Sequence, residues 1–157
     1  MRTNPTGCLM SRLLYLIFIM MTSMDVSHSG GLIDLQSMNF DSRKGVVYLA
    51  ERCASVSLVM LGVSFNKDDI EVNRYLNEKY DFFSEMAVRI QAEISNDISP
   101  NNINKDLSKI SDEITSLTKL YKAMMDSHYL KTGKYIPDII SNDTVFCRII
   151  YNKINKL

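Results

Sequence analysis

Catalysis and metal binding usually draw on imidazoles, thiols and converging carboxylates, and this 157-residue chain holds few of them: His28 and His128, Cys8, Cys53 and Cys147. His28 falls in a segment read below as removed, which leaves His128 as the single imidazole and no two-histidine metal site. No HExxH, CxxC or CxxCH spacing occurs. A serine or cysteine nucleophile would need His128 as its base, yet His128 occupies an apolar seam where a lone histidine is ordinarily structural. Neither GxGxxG nor a GxxxxGK phosphate loop is present, so nucleotide binding has no support. The carboxylate pairs Asp68-Asp69 and Asp112-Glu113 are sequence neighbours that diverge by about 100° on a helix, and they read as a helix start and a solvated face. The inventory points to a protein that is not an enzyme and carries no cofactor or metal.

Haem is the one cofactor whose ligands exist in some number, since the chain has ten methionines. Met124 and Met125 share a helix with His128, and axial ligands approach the porphyrin from opposite sides, so the partner would be Met60 or Met86. The spacing selects neither, and the methionines read as flexible core filling.

These residues need elements to position them. With 46% hydrophobic and 23% charged residues, and 18 basic against 18 acidic side chains, the composition is that of one globular domain. Zero net charge and the absence of long like-charge runs leave no electrostatic footprint for nucleic acid or an anionic membrane. The first twelve residues carry Arg2 and Arg12, an apolar run Leu13 to Met21 follows, and polar residues close it. That order is a secretory signal, and the run with Thr22 to Met24 reaches twelve residues where a membrane span needs about 20. The expected signal peptide is residues 1–29, cleaved after Ser29 with Ser23 as a second candidate, and Cys8 leaves with it. No stable membrane insertion is expected after cleavage. The competing reading is an N-terminal core helix over residues 9–24.

Residues 30–41 show no period and read as a loose N-terminal arm; residues 42–157 form the helical domain. Asp41 or Ser42 caps a first helix to about Phe65, with Val46, Val47, Ala50, Cys53, Ala54, Ser57 and Leu61 on one stripe. A second runs from the Asn66 to Asp69 turn to about Ser95, with a seam of Leu76, Tyr80, Phe83, Ala87, Ile90 and Ile94. The third has a heptad seam of Ile103, Leu107, Ile110, Ile114, Leu117, Tyr121, Met124 and His128, and Gly133 stops it. Pro137 suits the first turn of a fourth helix to about Lys156, with Ile140, Cys147, Ile150, Tyr151 and Ile154 inward. The Asn142-Asp143-Thr144 glycosylation pattern falls inside that helix.

Four helices joined by short turns predict an all-α, up-and-down antiparallel four-helix bundle. Its first and last helices are neighbours, and Cys53 and Cys147 each lie near mid-helix, so they are expected to form a disulfide beside the small residues Ala50, Ala54 and Ser57. The segments ERCASV (51–56) and VFCRII (145–150) resemble small secreted helical immunity proteins that neutralise cell-wall hydrolases delivered by rival bacteria. The resemblance implies an exported bundle that binds another protein, and it carries over no site residues.

Apolar surface beyond one stripe supplies the candidate partner surface. Tyr75, Phe82 and Met86 lie about 100° from the centre of the second seam, and Val145 and Ile149 stand one turn apart on the fourth helix, away from Cys147. Contact with a neighbouring helix is the other reading of both sets. A second candidate is the loop Tyr129 to Pro137, where aromatic and basic residues alternate, and structural punctuation between two helices is the favoured reading of it. The expected function is an exported, periplasmic or extracellular protein acting by protein–protein binding, as an inhibitor or immunity-type factor. The alternatives are a structural or homodimeric envelope component paired through the third seam, and a small-molecule or haem carrier.

Overall fold

The computed structural model describes residues 32–64, 69–95 and 99–155, and from Ile33 onward these belong to one compact unit. The expected signal peptide, the start of the arm and most of the first two interhelix turns lie outside the described residues. Four α-helices follow a single 3-10 turn at Leu35–Ser37: α1 Arg43–Ser64, α2 Ile70–Ser95, α3 Pro100–Thr132 and α4 Asp138–Ile154. Among the described residues there is no strand, and the chain is an all-α helical bundle.

Local chemistry sets each helix end. Ser42 caps α1: its Oγ accepts from Gly45 N–H at 3.0 Å and its carbonyl from Val46 N–H at 3.0 Å. Asp69 does the same for α2, with Val72 N–H on Oδ1 at 3.1 Å. Pro100 opens α3 where a missing N–H costs nothing, and Gly133 closes it at φ 71°, a left-handed turn that a side chain would strain. Pro137 stands just before α4 and accepts from Ile140 and Ser141 through its carbonyl.

α1 departs from the expected single stripe. Every residue from Leu49 to Ser57 is buried, because α1 packs against each of the other three helices. Ala50, Cys53, Ala54, Ser55 and Ser57 make its surface thin enough for that, and a helix covered on all sides has no face to leave polar. Its length and mean hydropathy of 1.6 would suit a membrane span; 61% of that window is buried within the bundle, which accounts for the apolar character.

α3 shifts its seam at both ends. Asp106 and Met125 are buried where Leu107 and Met124 were expected, and Leu107 is exposed. A straight helix of 3.6 residues per turn drifts about 20° per heptad away from a 3.5-residue seam, so the buried stripe slides across the sequence pattern. Asp106 is received there by the Ser95 hydroxyl at 3.2 Å.

The arm is held rather than loose. Leu35 is fully buried, Asp34 caps its 3-10 turn by accepting from Gln36 N–H at 2.9 Å, and Asn142 Nδ2 on α4 donates to Asp34 Oδ2 at 3.0 Å. Cys53 and Cys147 form the expected disulfide, with Cα atoms 5.4 Å apart, and it joins α1 to α4.

Lys79 on α2 is a charge in the core. It is 2% exposed, and its ammonium lies 4.6 Å from the Tyr75 ring centre with no carboxylate against it among the described residues. Burial, assisted by Arg148, holds its amine at about 8, below the ordinary 10.5. The unfolded chain binds that proton more tightly, so stability rises as pH climbs from about 8 towards 10.5. Lys79→Met is expected to stabilise the fold at pH 7 by about 1 kcal/mol or more, with the gain shrinking by pH 10. Urea denaturation at both pH values checks this, and equal effects at the two would refute it.

Candidate functional site

Three places bring functional side chains together: a buried polar network, a groove between α2 and α4, and the corner where α3 turns into α4. The network is centred on Arg52 of α1, whose side chain and that of Asp143 on α4 are both fully buried. Arg52 Nη2 donates to Asp143 Oδ2, Nε donates to the Tyr121 hydroxyl at 3.0 Å, and Nη1 donates to the Ile33 carbonyl and, at 3.9 Å, to Met38 Sδ. The Tyr121 hydroxyl in turn donates a hydrogen bond to Asp143 Oδ2. Asp143 Oδ1 accepts from Leu35 N–H at 3.5 Å. Burial and the Asp143 carboxylate push the Tyr121 hydroxyl well above its ordinary value, so it stays protonated and remains a donor.

This arrangement ties α1, α3, α4 and the arm to one charge pair. In this network the side chains of Arg52, Tyr121 and Asp143 are fully covered, and no fully enclosed polar side-chain atom among the described residues lacks a partner. Its role is to fix geometry. Sequence reading missed it, although a visible signal existed: Arg52 stands in mid-helix among apolar residues beside Cys53, and Asp143 precedes Cys147 by one turn. Once the cysteines pair, those two charges are within reach of each other.

The residues expected to form a partner surface divide. Tyr75 and Phe82 are half-buried and turn their rings edge-on to Tyr151 of α4, with centres 6.0 Å and 5.2 Å away, which is the interhelix contact named as their other reading. Met86 is also half-buried and lines a groove of about 360 Å³ with Phe82, Arg89, Ile90 and Ile154. Val145 and Ile149 stay exposed on α4, at 39% and 45%. His128 lines a separate cleft, with Met124, Lys131 and Pro137, so His128 and Met86 do not converge on one ligand.

The α3–α4 corner carries an open apolar surface. Past Met125 the last turns of α3 are largely exposed, and Leu130 is 85% exposed. Gly133 reverses the chain, its N–H bonded to the Tyr129 carbonyl at 2.8 Å, and Lys134 N–H bonds to Thr132 Oγ1 at 3.1 Å. The reversal lays Tyr135 flat on Tyr129, with ring centres 4.2 Å apart and planes 16° from parallel. A hydrogen bond between the two hydroxyls raises the Tyr135 hydroxyl above its ordinary value. Ile136 continues the apolar strip, and Lys131 and Lys134 flank it. The geometry offers two rigid aromatic faces, an outward leucine and two cations on a turn fixed by Gly133. Such a patch suits a protein contact.

Compared with known protein families, with characterised proteins and with solved structures, the chain matches none. The functional reading therefore rests on this geometry.

Proposed function

We propose that the chain is an exported, non-enzymatic helical protein that acts by binding another protein through its α3–α4 corner, as an inhibitor or immunity-type factor. The observation that carries this reading is the exposed Tyr129–Tyr135 stack with Leu130 beside it: large apolar side chains are held in the open by a rigid turn, and aromatic anchors of this kind dominate binding energy when a partner covers them. Val145 and Ile149 add exposed apolar area on α4. The disulfide supports an oxidising compartment, and with it the removal of residues 1–29 as a signal. An up-and-down antiparallel order of the helices belongs to the same reading.

Leu130→Asp with Tyr135→Asp is expected to weaken binding of a partner by a hundredfold or more while the circular dichroism and melting midpoint stay unchanged, since both side chains lie outside the core. Size-exclusion of the protein with a stoichiometric partner isolated from the native envelope reads the result. Retention of that partner by the double variant rejects the corner as the docking surface. The homodimer alternative would also have to use an outer face, because Ile110, Ile114 and Leu117 of the α3 seam are buried within the unit. Sedimentation velocity of the isolated protein separates the two readings, and an absorption spectrum of native protein decides the haem carrier.

A further inference from the structure

A second cleft, of about 250 Å³, lies where α1, α2 and α3 meet, and it is independent of the corner. Lys44, Val47 and Glu51 line it from α1, Gln91 and Ile94 from α2, and Lys109 and Glu113 from α3. It carries two acids and two bases, and none of the four takes part in any ion pair among the described residues. Glu51 is more than nine-tenths buried, and its carboxyl receives no hydrogen bond from a described residue. No fully enclosed polar atom among the described residues lacks a partner, so the unbonded Glu51 oxygens are not enclosed and meet the open space of the cleft the residue lines.

We infer that this cleft is a binding site for a small zwitterion of the α-amino acid class, its ammonium held by Glu51 and Glu113 and its carboxylate by Lys44 and Lys109. The charge set has both signs, as such a ligand does, whereas a metal cation would be opposed by the two lysines and a simple anion by the two glutamates. The volume lies below the roughly 300–1,000 Å³ of sites that take drug-sized molecules, so the ligand is small. Val47 and Ile94 supply apolar wall for a short aliphatic side chain, and Gln91 offers an amide to either end.

The cleft also makes binding depend on pH. Burial first and the Glu113 carboxylate second raise Glu51 to about 7, against the pull of Lys109. Lys44 from its own helix and Lys109 and Glu113 from α3 are the charged groups facing it; α2 contributes the uncharged Gln91. Below pH 7 the Glu51 carboxyl keeps its proton and loses its attraction for an ammonium.

The test is titration calorimetry of the full chain with L-valine, beside isobutyrate, which lacks the ammonium, and valinamide, which lacks the carboxylate. L-Valine is expected to bind at one site, at least tenfold more tightly at pH 8 than at pH 6, with both half-ligands at least tenfold weaker. Glu51→Gln should abolish the pH dependence and reduce affinity at least tenfold while the melting midpoint is kept or raised. Lys109→Gln, on an exposed side chain, provides a second variant that leaves the core untouched and should also lose affinity. Absence of L-valine binding at pH 8, or half-ligands as tight as L-valine, overturns the inference. The partner-binding reading is unaffected by either result.

Discussion

Asp143→Ala is expected to cost about 3–5 kcal/mol, because it leaves the Arg52 guanidinium charged, buried and without its carboxylate. Small domains are stable by roughly 5–15 kcal/mol, so much of the fold's margin would go with one side chain. The loss spreads beyond the pair: Tyr121 loses its acceptor and Leu35 N–H loses the Asp143 oxygen, so the arm should loosen with it. Urea denaturation followed by circular dichroism measures the effect, and a change below about 1 kcal/mol would refute the buried network. The informative companion is Arg52→Met with Asp143→Leu. Removing both charges together deletes the desolvation cost along with the attraction, so the double variant should be more stable than Asp143→Ala alone. A guanidinium in mid-core thus makes the fold specific more than it makes it strong.

The second large effect is expected from the cystine. Replacing Cys53 and Cys147 by alanine reopens a loop with a sequence separation of 94, worth about 4–5 kcal/mol in the chain-entropy account of cross-links. Both sulfurs are fully covered, so neither reductant nor alkylating agent meets them in the folded protein. Mass spectrometry after iodoacetamide treatment should find no adduct on Cys53 or Cys147 in native or denatured protein without reductant, and adducts on both only when denaturant and reductant are present together. An adduct on either cysteine without reductant would show free thiols and remove the link between α1 and α4. The unpaired double variant should also become sensitive to Asp143→Ala beyond additivity, since the bridge and the charge pair hold the same two helices one turn apart.

Much of the fold could be read from the chain because its signals are local. Ser42, Asp69, Pro100 and Gly133 mark helix ends through their own backbone chemistry, and those boundaries are where the residue types place them. The disulfide was legible too, since two cysteines near the middle of the first and last helices need no long-range information beyond the order of the elements. What resisted was the burial of α1. A stripe presumes one inner face, and Leu49 to Ser57 are enclosed on every side by helices that lie far away in sequence. The polar network was hidden for a related reason: Arg52 stands out among apolar neighbours, but only three-dimensional packing brings Tyr121 and Asp143 to it.

The candidate surfaces show a similar division. Tyr75 and Phe82 lie off the centre of the α2 seam, and periodicity alone could not tell exposure from contact with a fourth helix. Tyr151 resolves it by packing perpendicular to both rings. The corner was visible as an alternation of aromatic and basic residues, while the flat Tyr129–Tyr135 stack depends on the reversal at Gly133. Glu51 was unremarked in sequence because nothing local distinguishes a buried acid from a solvated one.

The carboxylate that pairs with Arg52 and the sulfur that pairs with Cys53 both sit on α4. If that helix swings away from the bundle, the cystine still tethers it while the guanidinium is orphaned and an apolar flank is uncovered. A half-open state of this kind has no comfortable resting place, so α4 should leave only when the whole bundle comes apart.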